Sequence, residues 1–526
     1  MSAPVLPMAE MLAAIRARLS IERAIVGLFA VWIALPGLVL LKGSGIFNGG
    51  WGIDVPDLMQ YMGFIRESGE HVLISNPFNI APDRHLFFDP VFAISGLVWR
   101  AGASIQLALL AWIPVVGIAL VVGSVAYVRR LLGENRRALA VALLLAFFYI
   151  SPALALSDWL HQSPIMRFGT RVIGLEMFTG AYDPGGGTQL GIALMPFFLL
   201  AVERALDPTR RAPGRSSAWY GGWAALTGML VAWLHPWQGM TLLVIVLALA
   251  IWGRGQRRYL GLALPALLTA APLAYFFVLS HTKSSWMLAS HANNYPHFGW
   301  WLFVSLLPLV IALPGYLGRA EDLQTRIVRI WPIAGFAVYL ALDRTWFYHA
   351  FAGLSLPLAI LAVRGWERLG LPRLMSVVTA AAVVVVVTVP GLVWYARQLY
   401  STQSQHFFRP AEARALAFLN SSPRPGGVMA PVFPLGQAVP PFTGRQTYVG
   451  NYYWTPDYTT RATETEALFD GKLPRAQAAQ LVRSSQARFL ASDCKPSRHD
   501  LRPVLGRLIV GVRGFGCATV YEVQAG

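Results

Sequence analysis

The chain has 526 residues, 55% of them hydrophobic and 13% charged, with a mean hydropathy of +0.50. Soluble domains carry roughly 25% charged residues, so water is not the main solvent of this chain. Its net charge of +17 could suit nucleic acid, but the arginines are scattered over separate short loops and not gathered on one folded face, which argues against that partner.

Apolar runs of about the 20 residues that a spanning helix needs recur along the sequence. The first is Ile21 to Leu41. Others begin near Ser104, Arg137, Gln189, Ala218, Gly239, Tyr259, Gly299, Val328, Trp346 and Met375, which makes about eleven spans by hydropathy and puts the termini on opposite sides. Short cytoplasmic loops collect Lys and Arg. Arg16, Arg18 and Arg23 stand before or at the start of the first run; Arg129, Arg130, Arg136 and Arg137 follow the second; Arg204, Arg210, Arg211 and Arg215 follow the fourth. The alternation continues with Arg254, Arg257 and Arg258, then Arg319, Arg326 and Arg329, then Arg364, Arg368 and Arg373. The expectation is a multi-pass protein of a cell inner (plasma) membrane with a cytoplasmic N-terminus. The first run lacks a small-residue cleavage site, so it reads as an uncleaved anchor.

The expected fold is mainly α, a polytopic membrane helical bundle over residues 1–399 with extracytoplasmic loops 42–103 and 157–188, followed by a small extracytoplasmic α/β domain over 400–526. In the first loop, Leu58, Tyr61, Met62 and Ile65 have amphipathic helical spacing and Pro56 suits the first turn. The stretch HLFFDPVFAISGLVWRAG is too interrupted to cross and reads as a second interfacial helix; a crossing there would reverse the arginine bias of every later loop. The second loop gathers Asp158, His161, Arg167, Arg171, Glu176 and Asp183, and its triple glycine is not a phosphate loop because no Gly-Lys-Ser/Thr follows.

In the last segment GGVMAPV, RQTYVGN, ARFLASD and CATVYEV read as short strands and Thr460 to Ser484 as helical. The chain's two cysteines, Cys494 and Cys517, both lie there. On the extracytoplasmic side they are expected to pair and so help a module of small size. The tail also holds TGRQTYVGNYYWTPDYTTR, whose aromatics with Arg445 and Arg461 suit either sugar stacking or a small core.

Asp57-Leu58-Met59-Gln60-Tyr61 at the mouth of the first span, followed by two interfacial helices, resembles the GT-C superfamily of membrane glycosyltransferases. The likeness is to the branch using polyprenyl-phosphate sugars, that of the protein mannosyltransferases and aminoarabinose transferases. LFFDPVFAISGLVWR resembles the family's second interfacial helix. The sequence departs from the family pattern at Leu58, where an acidic residue is common, and at Phe88-Asp89-Pro90, where a basic-proline element is usual. The resemblance implies an inverting transfer of sugar from a polyprenyl-phosphate donor to an extracytoplasmic glycan, lipid or protein acceptor, with Asp57 as catalytic base and Tyr61 beside it.

That chemistry fits the residues. A sugar hydroxyl is a poor nucleophile, and a positioned carboxylate can accept its proton; Asp54, beside Trp51, is the alternative base, and either carboxylate could merely cap or solvate its helix. The departing phosphate needs cations, for which Arg167, Arg171, His281, Lys283, His291 and Arg344 are candidates, the two loop arginines first. No cofactor is required, although Asp57 with Asp158, Glu176 or Asp183 could hold a divalent cation through oxygen ligands. No close-spaced pair of metal ligands stands out, and His235, His291 and His297 read as turn residues before metal ligands. Two other classes remain: a polysaccharide polymerase or ligase using lipid-diphosphate donors, which would rely on Arg and His, and a non-enzymatic lipid or glycan transporter, for which inverted repeats and midplane charges would be expected.

Overall fold

A computed structural model of the chain describes residues 8–41, 43–81, 83–151, 154, 176–180, 187–253, 256–282, 284–292, 297–320, 322–342, 346–370 and 373–524. Helical segments stand at each position where hydropathy expected a span, from Met8–Leu40 to Arg373–Ser401. Among the described residues, Ile105–Leu132, Gln189–Leu206, Arg257–Thr282, Phe347–Arg368 and Ala381–Ser401 are long and apolar enough to cross a bilayer, while Arg23–Leu38 and Pro236–Trp252 are apolar but shorter. Their outward faces are greasy at helical spacing: Val115, Ile118 and Val122 are exposed along one helix and Val385, Val389 and Val393 along another. Such a stripe is stable against lipid and not against water. Prolines inside helices at Pro36, Pro196, Pro272, Pro332 and Pro390 fit a membrane bundle, where neighbouring helices can satisfy the freed carbonyls. The chain is a polytopic helical membrane protein.

The two ends of the bundle differ. At one, Arg130 pairs with the buried Glu203 and with Asp322, Arg364 donates to Thr325 Oγ1 and to the carbonyl of Leu131 at 2.7 and 2.8 Å, and Arg329 donates to the carbonyl of Leu317 at 2.8 Å. Arginines on three separate helices thus tie down the ends of neighbouring segments.

The other end carries the first loop and the tail. Strand β1 (Ile46–Phe47) pairs antiparallel with β2 (Phe407–Phe408). The first-loop helix is Val55–His71, with Pro56 in its first turn and Leu58, Met62 and Ile65 buried; the second is Pro90–Arg100, eleven residues long and so about 16 Å, roughly half a bilayer core.

The tail contains β3 (Val428–Met429), β4 (Phe489–Ser492), β5 (Ile509–Gly514) and β6 (Thr519–Val523), in the order β3-β4-β6-β5, with β3 parallel to β4 and the other pairs antiparallel. Three differ from expectation or refine it. RQTYVGN is not a strand and makes a single bridge, Val428 to Thr447. Strand β5 was not expected. The helical stretch is split into Tyr458–Phe469 and Arg475–Ser484, because Gly471 takes φ +65° and Pro474 restarts the chain. Cys494 and Cys517 form a disulfide, Cα to Cα 4.9 Å, joining the end of β4 to the approach of β6.

Side chains alternate across this sheet. Val428, Phe489, Ala491 and Val520 pack into one core with Leu58, Met62 and Phe64 of the first loop, while Met429, Leu490, Tyr521 and Val523 pack on Leu468, Phe469 and Ala478 of the tail helices. Polar ties reinforce the first contact: Asn76 Nδ2 donates to the Trp454 carbonyl at 2.7 Å and the Thr447 amide to the Pro77 carbonyl at 3.0 Å. The tail therefore shares its core with the loop that bears Asp57.

Candidate functional site

The segment entering the first-loop helix is fixed by its neighbours. Asn48 Oδ1 accepts from the Gly50 amide at 2.9 Å while its Nδ2 donates to the Gln405 carbonyl at 2.7 Å. His406 Nε2 lies 2.9 Å from the Gly52 carbonyl, and Trp51 Nε1 donates to the Ile33 carbonyl at 3.1 Å. Gly49 has φ +97°, and a Cβ there would come within 2.9 Å of Gln106 and Met62, so glycine is required on both counts.

Asp54 occupies the N-cap position yet makes no capping hydrogen bond with its side chain. Asp57 lies in the first turn, its amide donating to the Asp54 carbonyl at 3.1 Å. Both are half-buried, and both carboxylates belong to a helix N-terminus, whose partial positive charge favours the anion. Tyr61, half-buried one turn further on, sets its ring 5.8 Å from Phe92 of the second helix.

A second polar group lies at the same end of the bundle. Glu176 is buried, and its Oε1 is 2.9 Å from His349 Nδ1, an ion-pair separation whose angle is not that of a hydrogen bond. Trp237, His235 and Trp346 ring His349 at 4.6, 5.2 and 6.0 Å between centroids. Gln238 Nε2 donates to the His349 carbonyl at 2.9 Å. His235 is fully enclosed, and burial followed by the nearness of His349 pushes its imidazole well below the usual range, so it is neutral. Both its ring nitrogens and the side-chain oxygens of Gln189 and Gln238 are buried without a hydrogen-bond partner among the described residues. Trp233, just before His235, donates to the Phe88 carbonyl at 2.8 Å, and Trp346 packs 5.7 Å from Tyr453 of the tail; these contacts tie the group to the first loop and the tail. Sequence reading picked out Glu176 and His235 but missed His349, Trp237 and Trp346. The HPWQ and WFYHAF stretches, aromatic and histidine-bearing at helix ends, were the available signal.

Of the other candidates, Asp158, His161, Arg167, Arg171, Asp183, Lys283 and Arg344 lie outside the described residues. His281 Nδ1 is 2.8 Å from the Phe277 carbonyl and His291 Nδ1 2.7 Å from the Met287 carbonyl, contacts within their own helices. His297 stacks on Phe347 at 4.0 Å, a packing role. In the tail, Trp454 is core, against Phe64 and Trp286. Arg445 donates to the carbonyls of Leu419, Gly426 and Ser422, and Arg461 lies over Tyr448 and donates to Asn79. Both arginines brace the tail. Among the described residues the His and carboxylate group with metal-ligand spacing is Glu67, His71 and His85, which does not include Asp57.

No protein-family model matches the chain, and no curated protein matches it in sequence. Solved structures match it in fold. The oligosaccharyltransferase of Archaeoglobus fulgidus in its apo form superposes with a TM-score of 0.56 at 14% identity, over 94% of this chain and 73% of that one. The same enzyme tethered to an acceptor peptide gives 0.54 at 13%, over 94% and 72%. ArnT from Cupriavidus metallidurans, bound to undecaprenyl phosphate, gives 0.52 at 15%, over 95% and 99%. At these identities the likeness is one of fold, which the chain shares with the oligosaccharyltransferase and with ArnT.

Proposed function

We propose, with the GT-C fold as premise, that this chain is an integral membrane glycosyltransferase that moves a sugar from a polyprenyl-phosphate carrier to an extracytoplasmic glycan, lipid or protein. Asp57 is the base. It takes the proton of the acceptor hydroxyl as that oxygen attacks the anomeric carbon, and the bond from that carbon to the phosphate oxygen breaks with inversion. The observation that carries this reading is the half-buried pair of carboxylates at the N-terminus of the first-loop helix, on a segment held by Ile33, Gln405 and His406. ArnT binding of undecaprenyl phosphate supports a lipid-phosphate carrier. The arginine-capped end of the bundle is read as cytoplasmic, which puts the first loop, the tail and the disulfide outside.

The imidazole-rich group around His349 favours a second reading, a polymerase or ligase with a lipid-diphosphate donor. The test is transfer of labelled sugar from a panel of polyprenyl-phosphate and polyprenyl-diphosphate donors by purified protein in lipid, comparing wild type with Asp57→Asn and Asp54→Asn. The first reading expects monophosphate donors to work and Asp57→Asn to lower kcat by about 10²-fold or more, with Asp54→Asn largely active. Turnover from diphosphate donors alone, or unchanged activity in Asp57→Asn, moves the assignment to the second.

A further inference from the structure

Glu67, His71 and His85 each bring one ligand atom within 4.8 Å of the others. Glu67 and His71 are one turn apart on the same face of the first-loop helix. His85 is delivered by the chain that follows. That chain reverses at Val72, where φ is +65° and ψ −51° and the Leu73 amide donates to the His71 carbonyl at 2.7 Å, a γ-turn of the strained kind that β-branched residues rarely adopt. A bridge between Ile74 and Phe87 then closes the loop, setting His85 beside the helix end. His85 Nε2 lies 3.4 Å from Glu67 Oε2, the two imidazole rings are 4.1 Å apart, and Ser75 Oγ donates to Glu67 Oε2 at 2.8 Å, orienting the carboxylate.

Ligands at about 2.0–2.1 Å around a tetrahedral zinc ion sit roughly 3.3 Å from one another. The Glu67 and His85 atoms already have that spacing, and small side-chain rotations of His71 complete the set. Two imidazoles with one carboxylate suit zinc and its transition-metal neighbours better than calcium or magnesium, which prefer oxygen alone. Both histidines are exposed, which leaves an open path for the ion. Asp57 is fourteen residues from His71 along the same helix, about 21 Å, so an ion here does not touch the proposed base.

We propose that Glu67, His71 and His85 form a binding site for a zinc-class divalent cation that clamps the loop between the two interfacial helices. The clamp holds the stretch leading to Asp89 and the second helix against the first. It is structural in role, and it is independent of which donor the enzyme uses.

The test uses the full-length, untagged chain in lipid nanodiscs, stripped with chelator and titrated with zinc chloride alone. One equivalent should bind by calorimetry at micromolar or tighter affinity and raise the unfolding temperature by several degrees. Cobalt in its place should give the visible absorption of a low-coordinate ion. His71→Asn and His85→Asn should each weaken binding by 10-fold or more. Both substitutions are at exposed positions, so both variants should fold. Absence of a saturable equivalent in wild type, or wild-type affinity in both variants, would overturn the site and leave Glu67 and His85 as a simple ion pair. Either result is read without an activity assay, so failure here and failure of the transferase reading are separate.

Discussion

Glu176 and His349, from segments far apart in the chain, meet at 2.9 Å beneath the first loop. The Glu176 side chain is only 5% exposed, and a carboxylate so enclosed is costly unless a cation or donors answer it. The backbone around it is tied down as well: its carbonyl accepts from the Gly353 amide at 3.1 Å, and the Ser355 amide donates to the Met177 carbonyl at 2.9 Å. Replacing His349 with Phe removes the imidazole and leaves the carboxylate to its other contacts. The expected loss is about 2–3 kcal/mol, below the ~3–5 kcal/mol of a fully stranded buried charge because other contacts stay with the carboxylate. Glu176→Gln, which removes the charge and keeps the shape, should cost less. Thermal unfolding in nanodiscs gives the order; a His349→Phe protein as stable as wild type would show the pair to be irrelevant to the fold.

Asp89 makes a pH-sensitive cap on the second first-loop helix. Its Oδ1 accepts from the amides of Val91 and Phe92 at 2.8 and 3.1 Å, and burial, only partly opposed by those donors, pushes its carboxyl up to about 7. A carboxyl raised above its unfolded value contributes stability in full below about pH 4, and that contribution fades as pH rises through about 7. Asn can accept the same two bonds without titrating. Wild type should therefore lose on the order of 2–3 kcal/mol relative to Asp89→Asn between pH 5 and pH 8. Parallel pH profiles of unfolding temperature for the two proteins would refute this.

How far the sequence could be read follows from the range of the forces involved. The bundle and the two helices of the first loop were legible because their determinants are local: Pro56 and the spacing of Leu58, Met62 and Ile65 in one, the apolar run after Asp89-Pro90 in the other. The tail was harder. Strand β5 carries Gly511, Arg513 and Gly514 and is mostly exposed at a sheet edge, so it lacks the alternation that marks a half-buried strand. RQTYVGN has strand-like residues, but its Thr447 amide is taken by Pro77, a partner no local pattern reveals. His349 was missed for the same reason, since only tertiary packing carries it to Glu176. Glu67 and His71 lie four apart in the sequence but did not stand out as a ligand pair, because nothing local shows that Val72 turns the chain to bring His85 back.

Arg498 is the electrostatic centre of the tail. Its Nε and Nη2 grip Asp493 at 2.5 and 2.9 Å, and Nη1 reaches Glu466 and Asp470 at 2.7 Å each, with 5% of the side chain exposed. The arrangement fastens the helix Tyr458–Phe469 to the end of β4. Burial alone would raise the Asp470 carboxyl, but the Ser497 hydroxyl, Lys472 and the Arg498 charge outweigh it and hold it at about 2. A depressed carboxyl contributes stability that is present above about pH 4 and is lost as pH falls through about 2. The tail should thus loosen in acid over that window. Arg498→Met should cost about 3 kcal/mol at neutral pH by taking the cation from the buried Asp493 and loosening Glu466 and Asp470. Arg498→Lys should recover little of it, because an ammonium cannot reproduce the two-pronged grip on Asp493. Hydrogen exchange of the amides in β4 and β6 of the full-length protein reads both effects. Unchanged protection in Arg498→Met would mean that the two cores flanking the sheet, with the Cys494–Cys517 bond, hold the tail without help from this network.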